Sequence, residues 1–310
     1  MLVRRRRVWC ELARADEVLR SGVLRALHDR RIGLLFAVSP GDEGDARAIV
    51  SACRAASVEV GLWPMLEPAR GRWANELTAH ELAPFAEALY DALARDGALP
   101  DELAIDLEPP FDVLARRDVS SLATFARGDR RGGSSRLGAW ASDARSRGVR
   151  VVAATLPLTL ADGPRGRLQR LTATPLAPLG DVHVTVMMYT SLVEGYSRGW
   201  LRRDDVRALL FEAATRAAAR PEHGLSLGAI ATGSLGDEPV YRDPAELEDD
   251  VALVNAAGVR DLALFSLCGA LRRGDAVAWL DAFMTERKAP APPKPARACL
   301  VWRVLDALGA

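Results

Sequence analysis

Apolar residues gather along the chain in short runs of strand length, rich in valine, leucine and isoleucine. They fall at Val8–Leu12, Ile32–Val38, Val58–Met65, Leu103–Glu108, Val149–Leu156, Asp181–Tyr189, Leu225–Thr232 and Asp261–Cys268. Between them lie stretches whose apolar positions recur at helical spacing. Leu82, Phe85, Leu89 and Leu93 share one face, preceded by a predicted capping box of Thr78 and Glu81 and stopped by Gly97. Asp243, Pro244 and Glu246 supply an N-cap, an N1 proline and an N3 acid ahead of Leu247, Val251 and Val254. Strands alternating with helices predict a parallel sheet, and eight such units over roughly 280 residues suit a closed (β/α)8 barrel of the usual size, about 250. An open doubly wound sheet would carry a glycine-rich turn after its first strand, whereas Glu11–Asp16 contains no glycine. The predicted fold is therefore α/β, a single TIM barrel over residues 1–288 with a C-terminal proline-rich tail over 289–310. In that tail Lys288–Pro295 reads as a stiff linker, and Leu300, Val301, Val304, Leu305 and Leu308 as the apolar positions of a short docking helix.

Composition and charge remove several classes of function. A chain of 310 residues that is 49% hydrophobic can bury a large core, and 41 basic against 41 acidic residues leave no net field to favour a polyanion. No nucleic-acid partner is expected. No apolar run reaches 18 residues, so no transmembrane segment is predicted. The basic start Met1–Arg7 resembles the opening of an export signal, but Glu11, Arg14, Asp16 and Glu17 precede any apolar stretch, so none is predicted in the chain as written. Lys288 and Lys294 are the only lysines, and neither lies in a predicted strand, which argues against Schiff-base and pyridoxal chemistry. No cofactor is expected. Cys10, Cys53, Cys268 and Cys299 show no paired spacing, and Cys268 reads as a small core residue. His28, His80, His183 and His223 have no zinc-ligand spacing, so no metal site of that kind is predicted.

In a barrel of this type the C-terminal ends of the strands build the site. The fourth run ends with Ala104, Asp106 and Glu108 on one face and Leu103, Ile105 and Leu107 on the other. The leucines and isoleucine suit the helix layer, so both carboxylates should project into the barrel mouth. Two carboxylates that close do not both ionise at their ordinary values, which makes one a candidate proton donor near neutral pH. In the sixth run His183, Thr185, Met187 and Tyr189 share the inner face, with Tyr189 at the mouth and its hydroxyl free to donate to a substrate oxygen or a carboxylate. A core tyrosine with a satisfied hydroxyl fits the same pattern.

Together these segments resemble glycoside hydrolase family 18, the chitinase-like (β/α)8 enzymes. That family ends its fourth strand Asp-x-x-Asp-x-Asp-x-Glu; Asp101, Asp106 and Glu108 fall in register, with Ala104 where the middle aspartate would stand. Its sixth-strand motif, Met-x-Tyr followed by Asp or Asn, is matched by Met187, Met188 and Tyr189, with Thr190 in the last place. The family's Ser-x-Gly-Gly on strand three and tryptophan on strand eight are replaced by Gly61–Glu67 and Leu264–Cys268, leaving Trp63 and Phe265 as candidates to stack on a sugar. The resemblance implies that Glu108 protonates the glycosidic oxygen, that Asp106 orients the substrate's N-acetyl group, and that Tyr189 hydrogen-bonds it. The acetamide carbonyl then serves as nucleophile with retention of configuration, on an oligosaccharide or polysaccharide substrate.

Glu11 follows strand one and Glu67 follows strand three, and both are predicted to reach the mouth; opposed to Glu108, Glu67 would allow a two-carboxylate glycosidase. The rival expectations are an oxygen-only magnesium site at Asp106 and Glu108, and a catalytically silent barrel that binds carbohydrate or protein, to which Ala104 and Thr190 point. Arg131–Arg136 has the composition of a phosphate cradle, but it follows strand four rather than strands seven and eight, and Arg127–Arg136 reads as a solvated loop.

Overall fold

The computed structural model of the chain describes residues 5–116 and 132–310. Eight parallel strands close into a barrel in sequence order: β1 (Arg5–Cys10), β2 (Ile32–Val38), β3 (Val60–Pro64), β4 (Glu102–Leu107), β5 (Arg150–Thr155), β6 (His183–Met187), β7 (His223–Gly228) and β8 (Asp261–Phe265), with β8 paired to β1. The helices between them form an outer ring, which makes this a (β/α)8 TIM barrel. Burial on both faces explains why β2 reads as an unbroken apolar run: Leu34, Phe36 and Val38 enter the helix layer, while Leu35 and Ala37 fill the barrel. At Gly61 on β3 an added Cβ would stand 2.4 Å from Leu35 Cδ2, so glycine there makes room for the interior leucine.

The floor of the barrel is ionic. β1 opens at Arg5 rather than Val8, and Arg7 turns inward, donating from Nε to Glu102 (2.7 Å) and from Nη1 to Asp261 (2.6 Å). His183 Nε2 lies 2.6 Å from the other oxygen of Asp261. Arg5, Arg6 and Arg7, part of the basic run that resembles the start of an export signal, thus open the first strand. Charges this deeply buried persist because each is paired; removing one partner typically costs about 3–5 kcal/mol.

Helix starts follow the sequence in one case and depart from it in another. Asp243 caps the helix Pro244–Ala257, its carboxylate accepting the Glu246 amide at 3.1 Å. The Thr78–Glu81 box does not form, because Thr78 already has helical dihedrals and its hydroxyl turns back, donating to the Trp73 carbonyl at 2.6 Å. Asn75 Oδ1 instead accepts the amides of Leu77 and Thr78, at 3.0 and 3.1 Å, and opens the helix Ala79–Arg95.

Residues 127–131 of the expected solvated loop lie outside the described residues, and the rest of it, from Gly133, is the first turn of the helix Gly133–Ser146. Ser134 donates to Glu76 and Arg136 to Glu87, and Leu137, Trp140 and Ala141 are buried. At the other end the helix Ala296–Gly309 docks through Ala298 and Trp302, with Arg216 stacked over the indole at 4.2 Å and paired with Asp306 at 2.6 Å. Val301 and Leu305 pack against the core, but Leu300, Val304 and Leu308 face outward because they lie four residues apart on the opposite stripe. Among the described residues no helix is long and apolar enough to cross a membrane.

Candidate active site

β4 is prolonged beyond its last strand residue by the segment that follows β3. Ala74 pairs with Leu107 as a parallel bridge, its amide donating to the Asp106 carbonyl (2.8 Å) and its carbonyl accepting the Glu108 amide (3.2 Å). Asn75 Nδ2 donates to the Glu108 carbonyl at 3.0 Å. This strap keeps the two-residue alternation running to Glu108, so that Leu103, Ile105 and Leu107 pack into the helix layer while Asp106 and Glu108 turn into the barrel mouth, as their spacing predicts. Asp106 is buried, Glu108 half-buried.

The two carboxyls share a hydrogen bond, and both are held above the ordinary carboxylate range. For Asp106 burial is the main cause, followed by the negative charges of Glu108 and Glu11, with Arg72 opposing. Glu108 is pushed up to about 8 by burial and then by Glu11, against the hydrogen bond from Asp106 and the charge of Arg72. A proton therefore stays on the pair near neutral pH, and it belongs to the pair rather than to either acid. Glu11 is itself raised by burial, but the Arg72 guanidinium, 2.8 Å away through Nη2, and the Ser234 hydroxyl hold it as an ion-paired acceptor.

Tyr189 reaches the same cavity from beyond the end of β6. Its hydroxyl lies 3.3 Å from Ser226 Oγ, which accepts from Trp9 Nε1 at 3.2 Å. Burial, then the charges of Asp106, Glu108 and Glu11, push its phenol well above the usual value, so it remains a neutral donor. The Tyr189 ring stacks on Phe265 with centroids 5.4 Å apart. Gly228 makes that stack possible, since a Cβ there would sit 2.7 Å from the Phe265 carbonyl and 3.3 Å from the Tyr189 ring. Trp63 and Met187 also line the cavity, Trp63 meeting Trp9 edge-on at 5.0 Å.

The structure therefore brings together Asp106, Glu108, Tyr189, Glu11, Trp63, Met187 and Phe265. Glu67 does not join them. The chain leaves β3 through a turn at Pro68–Arg70, closed by a hydrogen bond from the Leu66 amide to the Arg72 carbonyl, and Glu67 points to solvent. The two-carboxylate arrangement built on Glu67 is thereby overturned. Thr190 turns away from the mouth and donates to buried Asp250, which also accepts from Tyr241 at 2.9 Å. Asp101 lies at the opposite end of β4 and accepts the Val60 amide at 2.8 Å.

Several lining residues escape the sequence reading. Trp9 shares the inner face of β1 with Glu11, a signal the two-residue period carries. Trp73, Ser234 and Glu238 come from loops, as does Arg72, which reaches Glu11 without lining the cavity, and no periodicity encodes their approach to the mouth. The cavity they enclose measures about 210 Å³. Of the residues that line it, Asp106 Oδ1, Trp63 Nε1 and Glu238 Oε2 are buried atoms with no hydrogen-bond partner among the described residues. Among those residues no group of three or more histidine, cysteine, aspartate or glutamate side chains is arranged to hold a metal ion.

No protein-family model matches the sequence, and no curated protein does. Solved structures share the fold at low identity. The glycoside hydrolase domain of PgaB (BpsB) from Bordetella bronchiseptica superposes with a TM-score of 0.56 at 14% identity, over 93% of this chain and 99% of its own. A chitinase from Chromobacterium violaceum matches at 0.51 and 12% identity over 91% and 98%. The class V chitinase from Nicotiana tobaccum matches at 0.50 and 12% over 91% and 99%. At these identities the likeness is one of fold, a barrel similar to those of glycoside hydrolases.

Proposed function

We propose that the protein is a glycoside hydrolase acting at an N-acetylhexosamine by a retaining, substrate-assisted route. The observation that carries this reading is the buried, proton-sharing pair of Asp106 and Glu108 facing the Tyr189 hydroxyl across one cavity at the C-terminal end of the strands. A carboxyl pair that keeps a proton at neutral pH has what a general acid requires.

Glu108 gives its proton to the glycosidic oxygen as the bond from that oxygen to C1 breaks. The substrate's acetamide oxygen closes on C1 from the other face, held by Asp106 and by the Tyr189 hydroxyl. Water then attacks C1, displaces the acetamide oxygen and returns a proton to Glu108, giving the free sugar with its original configuration. Asp106, whose Oδ1 has no partner among the described residues, is suited to accept the acetamide N–H. Trp63 and Phe265 supply apolar ring faces for the sugar, and burial together with the negative charge of Glu11, which Arg72 opposes, keeps the proton on Glu108.

Glu108→Gln keeps the shape and loses the proton, so turnover of chromogenic N-acetylglucosaminides should fall by about 10²–10⁴-fold with affinity largely retained. Parent-level activity in that variant would end the proposal. A second reading, a silent carbohydrate-binding barrel, draws on Ala104, whose methyl lies in the barrel interior where the family's pattern has a further aspartate. It predicts sugar binding without turnover in the parent protein itself.

A further inference from the structure

The cavity wall divides by chemistry around the ring. From β1 and from the loop after β7 come Glu11, Ser234 and Glu238, set among Trp9 and Leu235. From the segments after β4, β5 and β6 come Leu114, Leu156, Pro157, Leu192 and Val193, all half-buried at the mouth and none bearing a polar side-chain atom. In a closed ring of eight strands β1 and β5 stand opposite each other, so the aliphatic wall at Leu156 and Pro157 faces the polar wall at Glu11, while Leu192 and Val193, after β6, adjoin the loop after β7. Glu108, at the end of β4, stands at the edge of the aliphatic one.

A sugar ring carries hydroxyls around its edge, and each hydroxyl pressed against hydrocarbon without a partner costs about 1–3 kcal/mol. The polar wall offers partners to one such ring, whereas the aliphatic side chains among the described residues would leave a second one unsatisfied. The volume points the same way: about 210 Å³ is below the ~300–1,000 Å³ of cavities that enclose drug-sized ligands. We infer that the leaving-group side of the site is built for an apolar group, so that the substrate is an alkyl or aryl glycoside rather than an internal linkage of a polysaccharide. The inference rests on the hydrolase reading above. It places the sugar against Glu11, Ser234 and Glu238, and the aglycone against Leu156, Leu192 and Val193, with the bond to be broken beside Glu108.

The test uses a series of n-alkyl N-acetyl-β-glucosaminides from ethyl to hexyl, across which leaving-group acidity hardly changes while apolar surface grows. A fully buried methylene is worth roughly fourfold in affinity. kcat/KM should therefore rise at least tenfold along the series, and hexyl glycoside should be cleaved faster than di-N-acetylchitobiose. Leu192→Gln should flatten the rise, with a thermal melt reporting its fold. A benzyl glycoside separates the two sources of such a group: preference for benzyl over hexyl indicates an aryl substrate, the reverse a lipid-like one, and either supports the inference. Turnover that ignores chain length, or favours the chitobiose, overturns the inference while leaving the hydrolase reading standing. Failure to cleave any of these glycosides overturns both.

Discussion

Glu108 shows what one buried acid does to both chemistry and stability. Its folded value of about 8 stands above the ordinary 4.5, so the folded state holds the proton more tightly than the unfolded chain does. The stability this carries is present at acid pH and declines as pH rises from about 4.5 through 8. Glutamine has no proton to lose. Glu108→Gln should therefore match the parent in Tm at pH 4 and exceed it by a few degrees at pH 8; an equal or lower Tm at pH 8 would remove the burial penalty from the account. Arg72 acts in the other direction. It is the cation that offsets Glu11 and restrains both Asp106 and Glu108. Arg72→Met leaves Glu11 buried beside them, which should cost about 3–5 kcal/mol in denaturant unfolding and move the alkaline limb of any activity upward. A downward move would contradict the assignment. The acids were legible in the sequence because a polar residue at every second place of an apolar strand has few other uses; Arg72 was not, because its partner lies 61 positions away.

At the scale of the element, strands were easier to read than the loops that finish the site. The inner and outer faces of β4 and β6 follow from the two-residue period alone, and the structure places Asp106, Glu108 and Tyr189 accordingly. Glu67 fails the same extrapolation because the period ends with the strand: the turn at Pro68–Arg70 carries the chain outward. Thr190 marks a similar limit. In sequence it completes a motif at the mouth, yet it is buried and spends its hydroxyl on Asp250, which Arg203 also reaches at 2.8 Å. That contact ties the first turn of the helix Thr190–Tyr196, and with it Leu192 and Val193 of the aliphatic wall, to the helix Pro244–Ala257. Thr190→Val should cost about 1–3 kcal/mol by leaving part of Asp250 unsatisfied. A urea titration that finds no loss would show that Tyr241 and Arg203 suffice to hold it.

The whole molecule separates its two ends. The N-terminal end of the barrel is closed by Arg7, Glu102, Asp261 and His183, charges that compensate one another and leave nothing to react. The C-terminal end gathers Glu11, Asp106, Glu108 and Glu238 with Arg72 against them among the described residues, an excess of buried acid for which proton retention is the physical outcome. The eightfold rhythm made that architecture predictable, and the tail joins it through Trp302 rather than through the stripe of Leu300, Val304 and Leu308. The claim that the acid pair holds the working proton is met most directly by the pH dependence of kcat/KM on an N-acetylglucosaminide. The account predicts activity that is steady through neutral pH and falls on a limb near pH 8, as the pair of Asp106 and Glu108 loses its proton. A profile whose activity climbs through pH 8, with the protonated form inactive, would contradict it.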